Sequence, residues 1–303
     1  MKKLNLQDEI ESCKQNIRNW PDLAEAHYNL GVAYCNLDRW QEAIEACKQA
    51  IKIKPDYAKA HYNLGNAYYV LGRWQEAIEA CKQAIKIKPD FVDAHNNLGN
   101  AYIGLGRHQE AIESFKQAIK IEPEDAVVHY NLGGAYGKLK RYQEAIESHK
   151  QAIKIKPDYA EAHCNLGNAY IGLDRYQEAI EACKQAIRIK PDDAKAHYNL
   201  CLAYLRTGDK SSTLKEEFKI LKTLDTELAK NLFYELTMRE DLLATIESFK
   251  QAIKIKPDDA EAHYNLGGAY LCIGDKDSAL EEYKILKTLD AERANKLFNL
   301  IYK

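Results

Sequence analysis

The chain has 303 residues, 46% apolar and 29% charged, with a formal net charge of −2. Such values suit a folded protein, and the lack of a basic surplus points away from nucleic acid. No apolar run approaches the 18 residues of a membrane span, and the eight cysteines form no Cys-x-x-Cys pair that would suggest structural zinc.

Prolines order the elements. Pro21, Pro55, Pro89, Pro123, Pro157 and Pro191 fall 34 residues apart, and Pro257 follows after 66. A fixed period of this size marks a repeat architecture. The N-terminal stretch has no apolar run, so no signal peptide is expected; with scattered thiols this favours a cytoplasmic location. Residues 9–22 read as a half repeat, in which 9–18 is a second helix without its first. Residues 24–193 read as five regular repeats. In the block 58–91, Leu64, Tyr68 and Leu71 share one helical face, and Ala77, Ile78, Cys81, Ala84 and Ile85 share another. Gly72 marks the turn between them, Pro89 closes the unit, and Gly65 and Ala77 leave room for close helix approach.

The later units fray. Residues 194–225 form a divergent repeat in which Cys201 replaces the glycine of Gly65, Gly99, Gly133 and Gly167, predicting a wider helix crossing. Residues 226–257 read as a degenerate repeat, with a first helix at 226–236 and a second resuming at 245–252. Residues 260–290 form a repeat again. Residues 291–303 form a C-terminal capping helix whose text echoes 226–236. Hairpins of this kind bury their apolar faces only by stacking. The expected fold is all-α, one right-handed superhelical solenoid over 1–303.

Leu64-Gly65, Tyr68, Ala77, Ala84 and Pro89, repeated along nearly the whole chain, closely resemble the tetratricopeptide repeat family. Cys81 departs from the family's aromatic, and His61 from its frequent Trp. The resemblance implies a concave groove lined by the first helix of each hairpin. The candidate wall is a column of Asn29, Asn63, Asn97, Asn131, Asn165, Asn199 and Asn265. Asn66, Asn100 and Asn168 lie three residues on, on the same face. Tyr28, Tyr62, Tyr130, Tyr198 and Tyr264 precede column asparagines, where Asn96 and Cys164 also stand, and Tyr69 joins them. An amide donates and accepts, so such a ladder can grip a peptide backbone, while tyrosine adds flat contact area. This is similar to the asparagine ladder in the repeat domain of O-linked N-acetylglucosamine transferases. The alternative is that the column serves local hydrogen bonding within the fold. A clamp for acidic chaperone tails is not expected, because the Tyr62 column holds no lysine and Val127 stands where that device requires one.

His27, His61, His95, His129, His163, His197 and His263 form another column, a full repeat apart, expected to pack inside the hairpins rather than bind metal. Cys47, Cys81 and Cys183 share a core column with Phe115 and His149. His108, in the place of Trp74 and Tyr142, reads as structural. No base is singled out beside a nucleophile, and no phosphate-binding glycine loop is present. The expected function is therefore a non-catalytic scaffold, without cofactor or metal, that binds a partner protein or extended peptide. The alternative is a self-assembling homo-oligomer joined through the N-terminal half repeat, similar to magnetosome-associated tetratricopeptide proteins.

Overall fold

The computed structural model describes the backbone of residues 2–208 and 212–302, and the side chains of 7–208, 213–234 and 241–302. Its described residues form helices and no strand. The chain divides into two compact units, Met1–Thr207 and Gly208–Lys303.

The first unit begins with α1 (Lys2–Asn19), longer than the predicted 9–18. Five hairpins follow: α2 (Ala24–Asn36) with α3 (Trp40–Ile53), α4 (Ala58–Val70) with α5 (Trp74–Ile87), α6 (Val92–Gly104) with α7 (His108–Ile121), α8 (Ala126–Lys138) with α9 (Tyr142–Ile155), and α10 (Ala160–Ile171) with α11 (Tyr176–Ile189). The unit ends with α12 (Ala194–Arg206). Each turn needs one residue in the left-handed region. Gly72 and Gly106 supply it at φ 71° and 73°, whereas Asp38, Lys140 and Asp174 adopt φ 57°. Leu64 and Tyr68 are buried, but Leu71 lies beyond the end of α4 and is 42% exposed.

Close packing within each hairpin follows from one glycine. A Cβ on Gly31, Gly65 or Gly167 would lie 2.8, 2.7 or 2.5 Å from the thiol of Cys47, Cys81 or Cys183. On Gly99 or Gly133 it would lie 2.5 Å from the ring of Phe115 or His149. The core column thus accepts thiol, phenyl or imidazole as long as glycine stands opposite. Ala50, Ala84, Ala118, Ala152 and Ala186, one turn on, are fully buried. The histidine column has a definite role. In each case Nε2 lies 2.9–3.0 Å from the carbonyl of the proline six residues earlier, pinning the inter-repeat turn to the next first helix.

In α1 the positions of Ala43, Ala46 and Ala50 are taken by Glu9, Ser12 and Asn16, all exposed. The side that a first helix would cover is therefore already suited to water.

The second unit contains α13 (Ser212–Leu224), α14 (Thr226–Ile255), α15 (Ala260–Cys272), α16 (Lys276–Leu289) and α17 (Ala291–Ile301). The predicted hairpin over 226–257 is corrected here. Residues 226–236 and 245–252 belong to one helix of 30 residues. No Gly or Pro interrupts 226–256. In addition, Phe233 takes the place of Gly99 relative to the following proline, and Phe249 that of Phe115. A hairpin would press two phenyl rings into room for one. The echo between 226–236 and the terminal helix extends to burial: Leu221, Ala229 and Leu232 are as buried as Leu286, Ala294 and Leu297. Asp225 and Asp290 cap the two helices alike. Leu297 fills the space over Gly267, where a Cβ would meet its Cδ2 at 2.5 Å.

Candidate functional site

Within the first unit, successive first helices α2, α4, α6, α8, α10 and α12 touch one another, while successive second helices do not among the described residues. The first helices therefore crowd on the inner side of the curve and form its wall.

The wall sorts the predicted asparagines into two sets. Members of the long column reach back to the preceding repeat. Asn131 Nδ2 donates to Asn96 Oδ1 at 2.9 Å, and Asn199 Nδ2 to the Cys164 carbonyl at 3.4 Å. Burial raises the hydroxyl pKa values of Tyr28 and Tyr130, while the neighbouring amides of Asn63 and Asn165 pull the other way. Tyr62 is pushed up to about 12, chiefly by burial, and Asn97 opposes this. The buried Asn97 Nδ2 nevertheless has no acceptor within hydrogen-bond distance among the described residues. Asn199 is buried, and Asn29, which has no first helix before it, is exposed.

The second set is free. Asn66 and Asn100 are half-buried and Asn168 is exposed, and no hydrogen bond engages their side chains among the described residues. Tyr69 and Val70 beside them are 36% and 46% exposed, and Val127 is 48% exposed. Between Asn100 and Asn168 the wall on α8 carries Gly134 and Gly137, where an added Cβ would meet nothing within 4 Å. The wall is thus lined with unengaged amides and indented at α8. Tyr198 is half-buried on α12. Tyr264 and Asn265 belong to α15 of the second unit, where Tyr264 packs against the cluster of Ala279, Leu286 and Leu297.

Sequence reading missed what the tyrosines do. Tyr28, Tyr62 and Tyr130 stack on Tyr57, Phe91 and Tyr159 of the next turn, ring centres 5.0 Å apart. Lys54, Lys88 and Lys156 lie over those second rings at 5.3, 5.2 and 4.9 Å. Where the tyrosine is replaced by Asn96 or Cys164, the next turn carries Asp125 or Asp193 instead. Each then caps its helix by accepting backbone N–H groups, Val127 and Val128 for one, Lys195 and Ala196 for the other. The signal was present as a paired exchange of residues 29 apart.

Models of the tetratricopeptide repeat match residues 24–57, 46–79, 65–106, 99–140, 135–174, 160–193 and 239–274, together more than half of the chain. The chain belongs to the tetratricopeptide repeat family. Repeats of this family are generally non-catalytic scaffolds for protein interaction. Among solved structures, MamA protein is similar at 29% identity and TM-score 0.51, over 57% of this chain and 94% of that one. YrrB, described as a tetratricopeptide repeat protein with an unusual peptide-binding site, shares 21% identity at TM-score 0.53, over 62% and 96%. PilF of Pseudomonas aeruginosa shares 18% at TM-score 0.61, over 71% and 98%. The last two likenesses concern the fold alone. No curated protein matches the chain in sequence. No helix among the described residues is long and apolar enough to cross a membrane.

Proposed function

We propose that the first unit holds an extended segment of a partner protein along its inner wall, gripping it through Asn66, Asn100 and Asn168 and flanking it with Tyr69, Val70 and Val127. One observation carries this reading: three unengaged amides recur in register on a wall where Asn131 and Asn199 already bond between repeats. The grip is thus displaced by three residues from the column that resembles the ladder of O-linked N-acetylglucosamine transferases. Within the column itself, Asn131 and Asn199 stitch neighbouring repeats. A peptide-binding site on YrrB is consistent with such a use of the fold. Self-assembly through α1 gains no support, because Glu9, Ser12 and Asn16 already suit its outer side to water.

Affinity capture from native cell lysate tests the proposal. The triple variant N66A/N100A/N168A is expected to keep its melting temperature and lose its captured partner. Each lost hydrogen bond is worth about 1 kcal/mol, so three together amount to roughly a hundredfold. Capture that survives the triple variant unchanged would remove these amides from the site.

A further inference from the structure

The second unit leaves one face of α14 exposed over residues 245–255. Residues 246–255 of α14 spell Ile-Glu-Ser-Phe-Lys-Gln-Ala-Ile-Lys-Ile, identical to residues 112–121 of α7. The two copies share one environment and differ in the other. Ile112 and Ile246 are both buried, and around Ile246 the following first helix α15 supplies Leu266 and Ala269. On the opposite side α7 is covered by its own first helix, α6. There Gly99 sits on the ring of Phe115, and Ser114, Phe115 and Ala118 are 7%, 0% and 0% exposed. In α14, Ser248 and Ala252 are exposed, Phe249 is half-buried, and exposure of the last isoleucine rises from 39% at Ile121 to 86% at Ile255.

No first helix of the usual kind precedes this segment, since 226–236 is the other half of the same helix. Nor could that stretch serve, because Phe233 stands where Phe249 requires glycine. The contrast with α1 is informative. At equivalent positions Ser12 matches Ser248, but Glu9 and Asn16 of α1 are replaced here by Thr245 and Ala252, and the half-buried Cys13 by Phe249.

We propose that the face formed by Thr245, Ser248, Phe249, Ala252 and Ile255 docks an amphipathic α-helix of a separate partner chain that presents a glycine to Phe249. The chemistry of the occupant follows from α6, which covers the same ten residues elsewhere in the molecule. Its apolar stripe must include Gly flanked by Leu and Ala, as in Leu98-Gly99-Asn100-Ala101. A bulkier residue at the glycine would hold the helix off the phenyl ring. This surface lies in the second unit and is independent of the wall described above.

The test uses the full chain and a helix-stapled peptide of the α6 sequence, residues 92–104, followed by fluorescence anisotropy. Stapling removes the cost of nucleating a short helix. Saturable binding is expected. Ala252→Arg in the chain should weaken it by about tenfold or more, as should Gly99→Leu in the peptide. The groove variant N66A/N100A/N168A should bind the peptide as the parent chain does. Absence of saturable binding, or indifference to Ala252→Arg, would overturn the proposal. So would dimerisation of the free chain abolished by Ala252→Arg, which would place a second copy on this face in place of a separate partner.

Discussion

Helices α7 and α14 carry the same ten residues and do not share a fate. In α7 they are clasped from two sides and their alanine vanishes from solvent; in α14 they are clasped from one side and the alanine stays in water. Local sequence sets the helix in both places, so burial here belongs to the neighbours, as expected of an array stabilised by nearest-neighbour contacts. The sharpest way to break the comparison is one substitution made twice. Ala118→Arg forces a charge between α6 and α7 and should cost about 4 kcal/mol. Ala252→Arg meets solvent and should stay within about 0.5 kcal/mol. Hydrogen exchange along α7 and α14 reads each effect where it arises. Equal losses at the two sites would mean that the α14 face is covered.

Acid should divide the units next. His149 occupies the place of Phe115 in its own hairpin, 2% exposed, and its Nδ1 has no hydrogen-bond partner among the described residues. Burial pushes this imidazole from its ordinary 6.5 down to about 4. Between those values the unfolded chain takes up a proton that the folded chain refuses. The stabilisation is therefore present above pH 6.5 and is lost as pH falls through about 4. The loss is about 3 kcal/mol and should fall on the hairpin of α8 and α9. His149→Phe should remove this component of acid sensitivity, because Gly133 offers a ring the space that Gly99 offers Phe115. A denaturation series from pH 7.5 to 3.5 on both proteins decides it, and parallel curves would rule out His149 as the cause.

The period of the prolines made the repeat legible because one physical requirement recurs in every turn. Glycine opposite the core column was legible for the same reason. The single helix over 226–255 was not, since Thr245–Ala252 spells a second helix faultlessly and only the pairing of Phe233 with Phe249 forbids the hairpin. The wall of first helices was legible, but not the division of labour among its amides. Asn63 and Asn66 are chemically alike; what separates them is whether the preceding repeat carries a tyrosine or amide within reach. Such a fact concerns two repeats together, and it surfaces in sequence only as the exchange of Tyr with an aromatic for Asn96 with Asp125.

That division of labour gives a smaller comparison. Asn131→Ala breaks its bond to Asn96 and should cost about 1 kcal/mol of unfolding free energy. Asn66→Ala removes no bond within the fold and should be neutral in the same denaturant titration. A measurable loss at Asn66 would show that its amide is committed after all.

The smallest effect carries the opposite sign. Gly133 and Gly134 are adjacent on α8, yet a Cβ on Gly133 would strike the His149 ring at 2.5 Å, while one on Gly134 would meet nothing within 4 Å. Glycine inside a helix costs roughly 0.5–1 kcal/mol relative to alanine through the freedom it gives the unfolded chain. Gly134→Ala should therefore raise stability by about that amount, measured as an upward shift in melting temperature. Gly134 lies on the wall between the unengaged amides of Asn100 and Asn168, so the methyl group fills part of the indentation. If the bound segment approaches the backbone there, the variant gains stability and loses partner capture together. If capture is unchanged, the segment is held by the amides alone and passes over α8 without entering the hollow.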